Sequence, residues 1–233
     1  MSFFDFLKKK ASLVMKTEDV SISHGWDAIT EVFEKLYPEQ TNPKHRAPTI
    51  YRMHDISENA AAFDGISAYD AGSFWHFVTY GLSELYSKEN SDAAYSGFGY
   101  EFTFRLPKIG ELPPLWVFDF LEAIGKHVWK GGSLAVSNTI KTGPLDGQAD
   151  TKENAVLVLR DPAIPEPIIT PNGQLEFLLL LGVEDTYRQK VISLSNNKET
   201  QSGWHEEIWN GKIINELLEK NPYLITPIQN QGL

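Results

Sequence analysis

The stretch "SFWHFVTYGLSELY", residues 73–86, sets His76 among five aromatic rings and carries one acid, Glu84. An imidazole between Trp75 and Phe77 is either a general base in an aromatic pocket or a core histidine that must find a hydrogen-bond partner. Together with Arg105 of "SGFGYEFTFRLP", the set His76, Glu84 and Arg105 has the residue types of a hydrolytic site: a base, an acid and an anion clamp. That chemistry requires the three to converge in a cleft within hydrogen-bond reach of one another, with His76 partly open to solvent. The pattern favours the plainer alternative of a hydrogen-bonded scaffold histidine, with Arg105 in a structural ion pair with Glu101 or Glu84.

Other chemical motifs fail on spacing. A zinc-protease helix needs two histidines four apart, and "HEEIW" puts Trp209 where the second ligand belongs. "GFGYEF" lacks the third glycine of a phosphate-cradling loop and runs into a strand. "GISAY" and "GLSEL" lack the closing glycine of a nucleophile elbow. The six histidines, His24, His45, His54, His76, His127 and His205, never recur at metal-ligand spacing, so no metal or cofactor is expected. His127 falls in the last turn of a helix, where a cation complements the dipole.

The elements that must position these residues read as follows. "HGWDAITEVFEKLYPEQTNP" carries Trp26, Ile29, Val32, Phe33 and Leu36 at helical spacing and stops at Pro38. "QTNPKHRAP" is a loop, and "TIYRMHDI" and "FDGISAYDA" have strand composition. Phe74 to Tyr80 is apolar on both alternating faces, as in a strand covered on both sides, and Gly81 breaks it. In the next strand Phe102, Phe104 and Leu106 share one face and Glu101, Thr103 and Arg105 the other. "PPLWVFDFLEAIGKHVWKGG" opens on proline and closes on paired glycine, with a helical stripe of Val117, Leu121, Ile124 and Val128. Residues 131–154 read as loop, "AVLVLRDP" and "GQLEFLLLLGVED" as core strands joined by the proline-rich "DPAIPEPIITP". "SLSNNKETQSG" reads as a mobile polar loop, "WNGKIINELLEKNP" as a helix and "YLITPI" as a final short strand. Residues 1–20 form an N-terminal extension or short helix, and 21–233 a single mixed α and β domain.

At 233 residues and 42% hydrophobic content the chain can bury a substantial core, and without cysteine it has neither disulfide nor thiolate chemistry. Its basic cluster follows a very short apolar stretch, the reverse of a secretory signal, so a cytoplasmic location is expected. The longest apolar run, "FLLLLGV", falls far short of the roughly 20 residues that cross a bilayer. A formal charge of −10 argues against direct binding to nucleic acid and suits a basic protein partner.

Six blocks in order, "GWDAITEVFEKLYPEQTNP", "WHFVTYGLSELY", "SGFGYEFTFRL", "PNGQLEFLLLLGV", "WNGKIINELL" and "YLITPI", resemble the signature segments of the Suppressor of fused family, and the second and third are the most specific. The resemblance is to the N-terminal domain and implies an α+β fold with one mixed, largely antiparallel sheet flanked by helices. It also implies a non-catalytic protein-binding function. Animal members are two-domain regulators that restrain the zinc-finger transcription factors of Hedgehog signalling and hold a partner peptide between their domains, partly by strand addition. Short bacterial members include immunity proteins that neutralise toxins. Phe77 and "LYSKEN" depart from the animal pattern, which has a tyrosine and an early acid there.

The leading expectation is therefore an inhibitory protein-binding module of the immunity type, with a basic toxin as partner. A signalling or transcription-regulator scaffold is the alternative, and a hydrolase the last. The contact candidates are Trp75, His76, Tyr80, Glu84, Arg105, Trp204 and Trp209, the last two flanking the polar loop as interface anchors. Trp26, Trp75 and Trp116 are also suited to filling the core.

Overall fold

The computed structural model describes residues 23–40, 42–49, 60–89, 91–196, 209 and 211–228. The expected extension over 1–20, the segment "TIYRMHDI" for the most part and Trp204 lie outside them.

Eight strands form one sheet in the order β1-β2-β3-β4-β8-β6-β5, with β7 paired to β8 off that path. They are β1 (Lys44–Arg46), β2 (Gly65–Asp70), β3 (Phe74–Tyr80), β4 (Tyr95–Pro107), β5 (Thr139–Lys141), β6 (Glu153–Arg160), β7 (Ile168–Thr170) and β8 (Gly173–Glu184). Among the described residues only the central β4–β8 pair is parallel. Four helices, α1 (His24–Leu36), α2 (Leu115–Trp129), α3 (Asp185–Ser195) and α4 (Ile214–Lys220), complete the described residues. The fold is α+β, as expected.

Helices cover both faces of the sheet, and that decides what the strands bury. On one face α2 lays Val117, Phe118, Leu121, Ile124 and Val128 against Phe77, Phe104, Val156 and Leu178. On the other, α1 sets Ile29 and Phe33 on Tyr69, Val78, Tyr80 and Phe177. Beside it α3 and the C-terminal segment cover Leu157, Leu159, Leu179 and Leu181 with Val191, Ile213 and Leu224. Each large side chain closed off in this way contributes on the order of 2 kcal/mol. Because β3, β6 and β8 are covered twice, they read as continuous apolar runs rather than alternating ones.

The same double cover corrects several expectations. The row Glu101, Thr103 and Arg105 is interior: all three are buried. Thr103 sits opposite Val78 of the α1 cluster on one side and Leu179 of the α3 cluster on the other, so a polar seam runs between two apolar ones. The segments read as loops contain short strands, β1 in "QTNPKHRAP", β5 within 131–154 and β7 in the proline-rich connector, each supported by pairing to a longer neighbour. The polar loop begins later than expected, because α3 runs through Ser195 with only Val191 fully buried to mark it. "YLITPI" forms no ladder: Tyr223 lies in a turn and Leu224 has φ +48°. Pro222 and Pro227 remove donors, and Thr226 instead donates its N–H to Arg105 O (2.8 Å) and accepts from Gly182 N at Oγ1 (2.9 Å).

Candidate functional site

His76 lies mid-strand in β3, opposite Arg105 of β4 and Tyr69 of β2. Its side chain is completely buried. Nε2 lies 2.9 Å from Asp161 Oδ2 and Nδ1 lies 2.8 Å from the Tyr37 hydroxyl. A carboxylate only accepts, so Nε2 carries the hydrogen and Nδ1 accepts from Tyr37. Burial pushes the imidazole below its ordinary pKa, against the pull of Asp161, and Arg105 adds to the depression. The ring is neutral.

Asp161 is the centre of the cluster. Besides His76 it accepts from the Arg105 guanidinium at Oδ1, from Thr103 Oγ1 (2.7 Å) and from Ala163 N (2.9 Å). Burial alone would raise this carboxyl; the hydrogen bond and electrostatic pull of the His76 N–H, then the charge of Arg105 and the Thr103 hydroxyl, overcome it and hold the group well below the usual carboxylate range. Arg105 also donates from Nη1 to Tyr223 O (2.7 Å) and lies 5.7 Å from the centre of the Phe74 ring. The node therefore ties β3, β4, the end of β6, the turn after α1 and the C-terminal segment together.

The second polar node lies where β3 ends. Glu101 accepts four hydrogen bonds: from Thr79 Oγ1 (2.7 Å) at Oε2, and from Gly81 N (2.9 Å), Ser83 N (2.8 Å) and Ser83 Oγ (2.6 Å) at Oε1. Gly81 turns the chain at φ +141°, a conformation L side chains rarely adopt. Burial pushes the Glu101 carboxyl up to about 7, against those donors. The same turn docks on α1, where Gly25 N donates to Leu85 O (2.9 Å) and a Cβ at Gly25 would stand 2.1 Å from Glu84 O.

The three residues of the hydrolase reading do not assemble. His76 and Arg105 meet through Asp161, but Glu84 follows the turn beyond Tyr80, where its N–H donates to Ser96 Oγ at the opposite end of β4 from Arg105. Its carboxylate accepts from Lys88 Nζ (3.0 Å) and Glu89 N (2.6 Å). Arg105 pairs with neither expected acid: Glu101 belongs to the turn, and the real partner, Asp161, comes from a distant loop. Nor are those aromatic contact candidates that fall within the described residues on the surface. Trp75 and Tyr80 are interior, and Trp209, expected as an interface anchor, is fully closed in beneath the α3 side of the sheet. Trp26 stacks on Tyr80 with centroids 4.3 Å apart.

Asp161 and Tyr37 escaped sequence reasoning because neither lies near its partners in the chain. The available signal was a charged residue ending the apolar run of "AVLVLRDP", where a buried acid needs a cation. Among the described residues no group of three or more His, Cys, Asp or Glu could hold a metal ion, and no helix is long and apolar enough to cross a membrane.

Comparison with known proteins agrees with this architecture. The family model described as Suppressor of fused protein (SUFU) matches residues 59–191. The Suppressor of fused homologs of Homo sapiens and Mus musculus are each 28% identical over 230 residues, covering 88% of this chain and 43% of theirs. The chain thus spans less than half the length of these curated relatives. The crystal structure of Drosophila Suppressor of Fused superposes with a TM-score of 0.65 at 26% identity, over 76% of this chain and 48% of that one. A chain of the Sufu-Fu complex crystal structure superposes with a TM-score of 0.72 over 91% of this chain and 92% of that one; at 24% identity this likeness concerns the fold. The matched model covers more than half of the sequence, and the chain belongs to the Suppressor of fused family.

Proposed function

We propose that this chain is a non-catalytic protein-binding module that engages a partner protein as a scaffold, with residues 21–233 as one domain. The observation that carries the reading is the match along 92% of a chain solved in the Sufu-Fu complex, a fold that in that protein receives a partner. The buried chemistry supports it: His76 sits between a carboxylate and a phenol with no access to solvent, the setting of a structural histidine rather than a general base. A basic toxin as the partner is the narrower form of this proposal, supported by the charge of −10 and the faster encounter it gives with a cationic surface. In either form the module works in the cytoplasm and does not touch nucleic acid.

Of the nominated contact residues, Trp75, His76, Tyr80, Arg105 and Trp209 shape the interior, and Glu84 lies at the edge of the turn. Next to that turn stand two aromatic side chains suited to anchoring a partner: Tyr95 is 49% and Phe98 40% exposed. The test is affinity capture on the folded chain, followed by calorimetric titration of the purified partner. A saturable complex that weakens at least about tenfold in the double variant Tyr95→Ala/Phe98→Ala supports the reading. Substrate turnover that disappears in a folded His76→Gln variant overturns it.

A further inference from the structure

Glu101 is a buried carboxylate with no cation against it among the described residues. Its four partners are neutral donors, three on Oε1 and one on Oε2. Among the titratable groups around it, Tyr80 of β3 and Tyr100 of its own strand have hydroxyls that burial pushes up, so both stay neutral. Glu84 of the turn points its carboxylate to Lys88, and on β8 the opposite residue is Phe177, whose neighbour Glu176 pairs with Arg160. The α1 cluster reaches this region through apolar side chains.

The Thr79 hydroxyl has two acceptors in reach. It lies 2.7 Å from Glu101 Oε2 and 3.5 Å from Phe102 O, while its oxygen already accepts from Phe102 N (2.9 Å). We propose that Glu101 and Thr79 form a reversible proton-binding site: a proton taken up on Oε2 is donated to Thr79 Oγ1, the Thr79 hydrogen swings to Phe102 O, and the 81–83 turn loosens. Charge and hydrogens balance, because one proton enters and each hydroxyl still donates once. In the charged form Oε1 holds Gly81 N and Ser83 through charge-assisted bonds. In the neutral form the same three donors meet an ordinary carbonyl oxygen, which holds them less tightly. The turn so affected carries Leu85, the acceptor for Gly25 N of α1, and Glu84, whose carbonyl accepts from Asn172 Nδ2 (2.8 Å).

The test is NMR of the intact chain between about pH 5 and about pH 9. The Glu101 carboxyl carbon, assigned by its loss in Glu101→Gln, is expected to titrate with a midpoint near 7, and the Gly81 and Ser83 amide protons to follow the same curve, moving upfield as the proton binds. In Glu101→Gln, whose amide reproduces the neutral form, those amides stay flat. A Glu101 carbon that remains ionised down to about pH 5 overturns the proposal, as do amide curves that persist unchanged in the variant. The carbon titration is read on the wild-type chain and needs no partner, so its outcome is independent of the binding function.

Discussion

Asp161 and Glu101 are both carboxylates closed off from water and both accept a hydrogen bond from a side chain of β3, yet their proton affinities move in opposite directions. Each accepts four hydrogen bonds, so the count of donors does not separate them. The difference lies in what faces each carboxylate: Asp161 has the His76 imidazole and the Arg105 guanidinium, and Glu101 has neither. With a guanidinium against it, Asp161 stays below the ordinary carboxylate range; with backbone amides and hydroxyls alone, Glu101 is pushed up to about 7. In this interior backbone amides and hydroxyls orient a carboxylate but do not make up for its lost hydration, whereas an imidazole N–H together with a fixed cation does.

The sharpest way to break the contrast is to remove the cation. Arg105→Met keeps an unbranched side chain in the interior but removes the guanidinium that lies over Phe74, strands Asp161 as a buried anion and frees Tyr223 O. Chemical denaturation should show a loss of about 3–5 kcal/mol, and adding Asp161→Asn should recover a substantial part of it. A loss below about 1 kcal/mol would mean that the ion pair does not set the behaviour of the node.

Stability against pH separates the two nodes next, because their signs differ. The folded-state pKa of Glu101 lies above the 4.5 of an ordinary glutamate, so its contribution is complete below pH 4.5 and is lost as pH rises through about 7. That interval corresponds to on the order of 3 kcal/mol. His76 works the other way: its folded pKa is depressed below 6.5, so the unfolded chain takes the proton first and stability falls as pH drops below 6.5. Glu101→Gln should therefore gain on wild type between about pH 4.5 and about pH 7 and run parallel to it elsewhere. Urea melts of the two proteins at matched pH check this, and a constant difference across the range would contradict the raised Glu101.

How far these nodes could be read from the chain depends on the distance over which their partners act. The strands in Phe74–Tyr80, "SGFGYEFTFRLP" and "GQLEFLLLLGVED" and the helix in "PPLWVFDFLEAIGKHVWKGG" follow from local periodicity and end signals, and the structure has them as β3, β4, β8 and α2. Even the choice of His76 as a scaffold residue follows from its aromatic neighbours, since a ring set between Trp75 and Phe77 in a doubly covered strand has to be buried. Its partners do not follow. Tyr37 reaches it from the turn after α1 and Asp161 from the loop after β6, and no sequence period joins those positions. Glu101 was readable as an acid on a strand but not as an interior one, because alternation distinguishes two faces without saying that both are covered. The surface role expected for Trp209 failed for a related reason: the polar loop before it says nothing of the apolar cluster that closes over it.

The smallest expected effect tests the tautomer on which the Asp161 side of the comparison rests. If Nε2 carries the hydrogen, Tyr37 serves only as a donor to Nδ1, and Tyr37→Phe removes one hydrogen bond while leaving the ring packed on Phe33 and Tyr69. The cost is about 1 kcal/mol, well short of the Arg105 effect, because a neutral acceptor without its donor loses far less than a stranded charge. Nitrogen NMR of the imidazole reads the same point directly: Nε2 should resonate as a protonated nitrogen and Nδ1 as a bare one, in wild type and variant alike. A doubly protonated ring, with Tyr37→Phe destabilising as much as Arg105→Met, would make His76 a second cation at Asp161. The anchoring charge would then be shared, and the contrast with Glu101 would come from two cations rather than one.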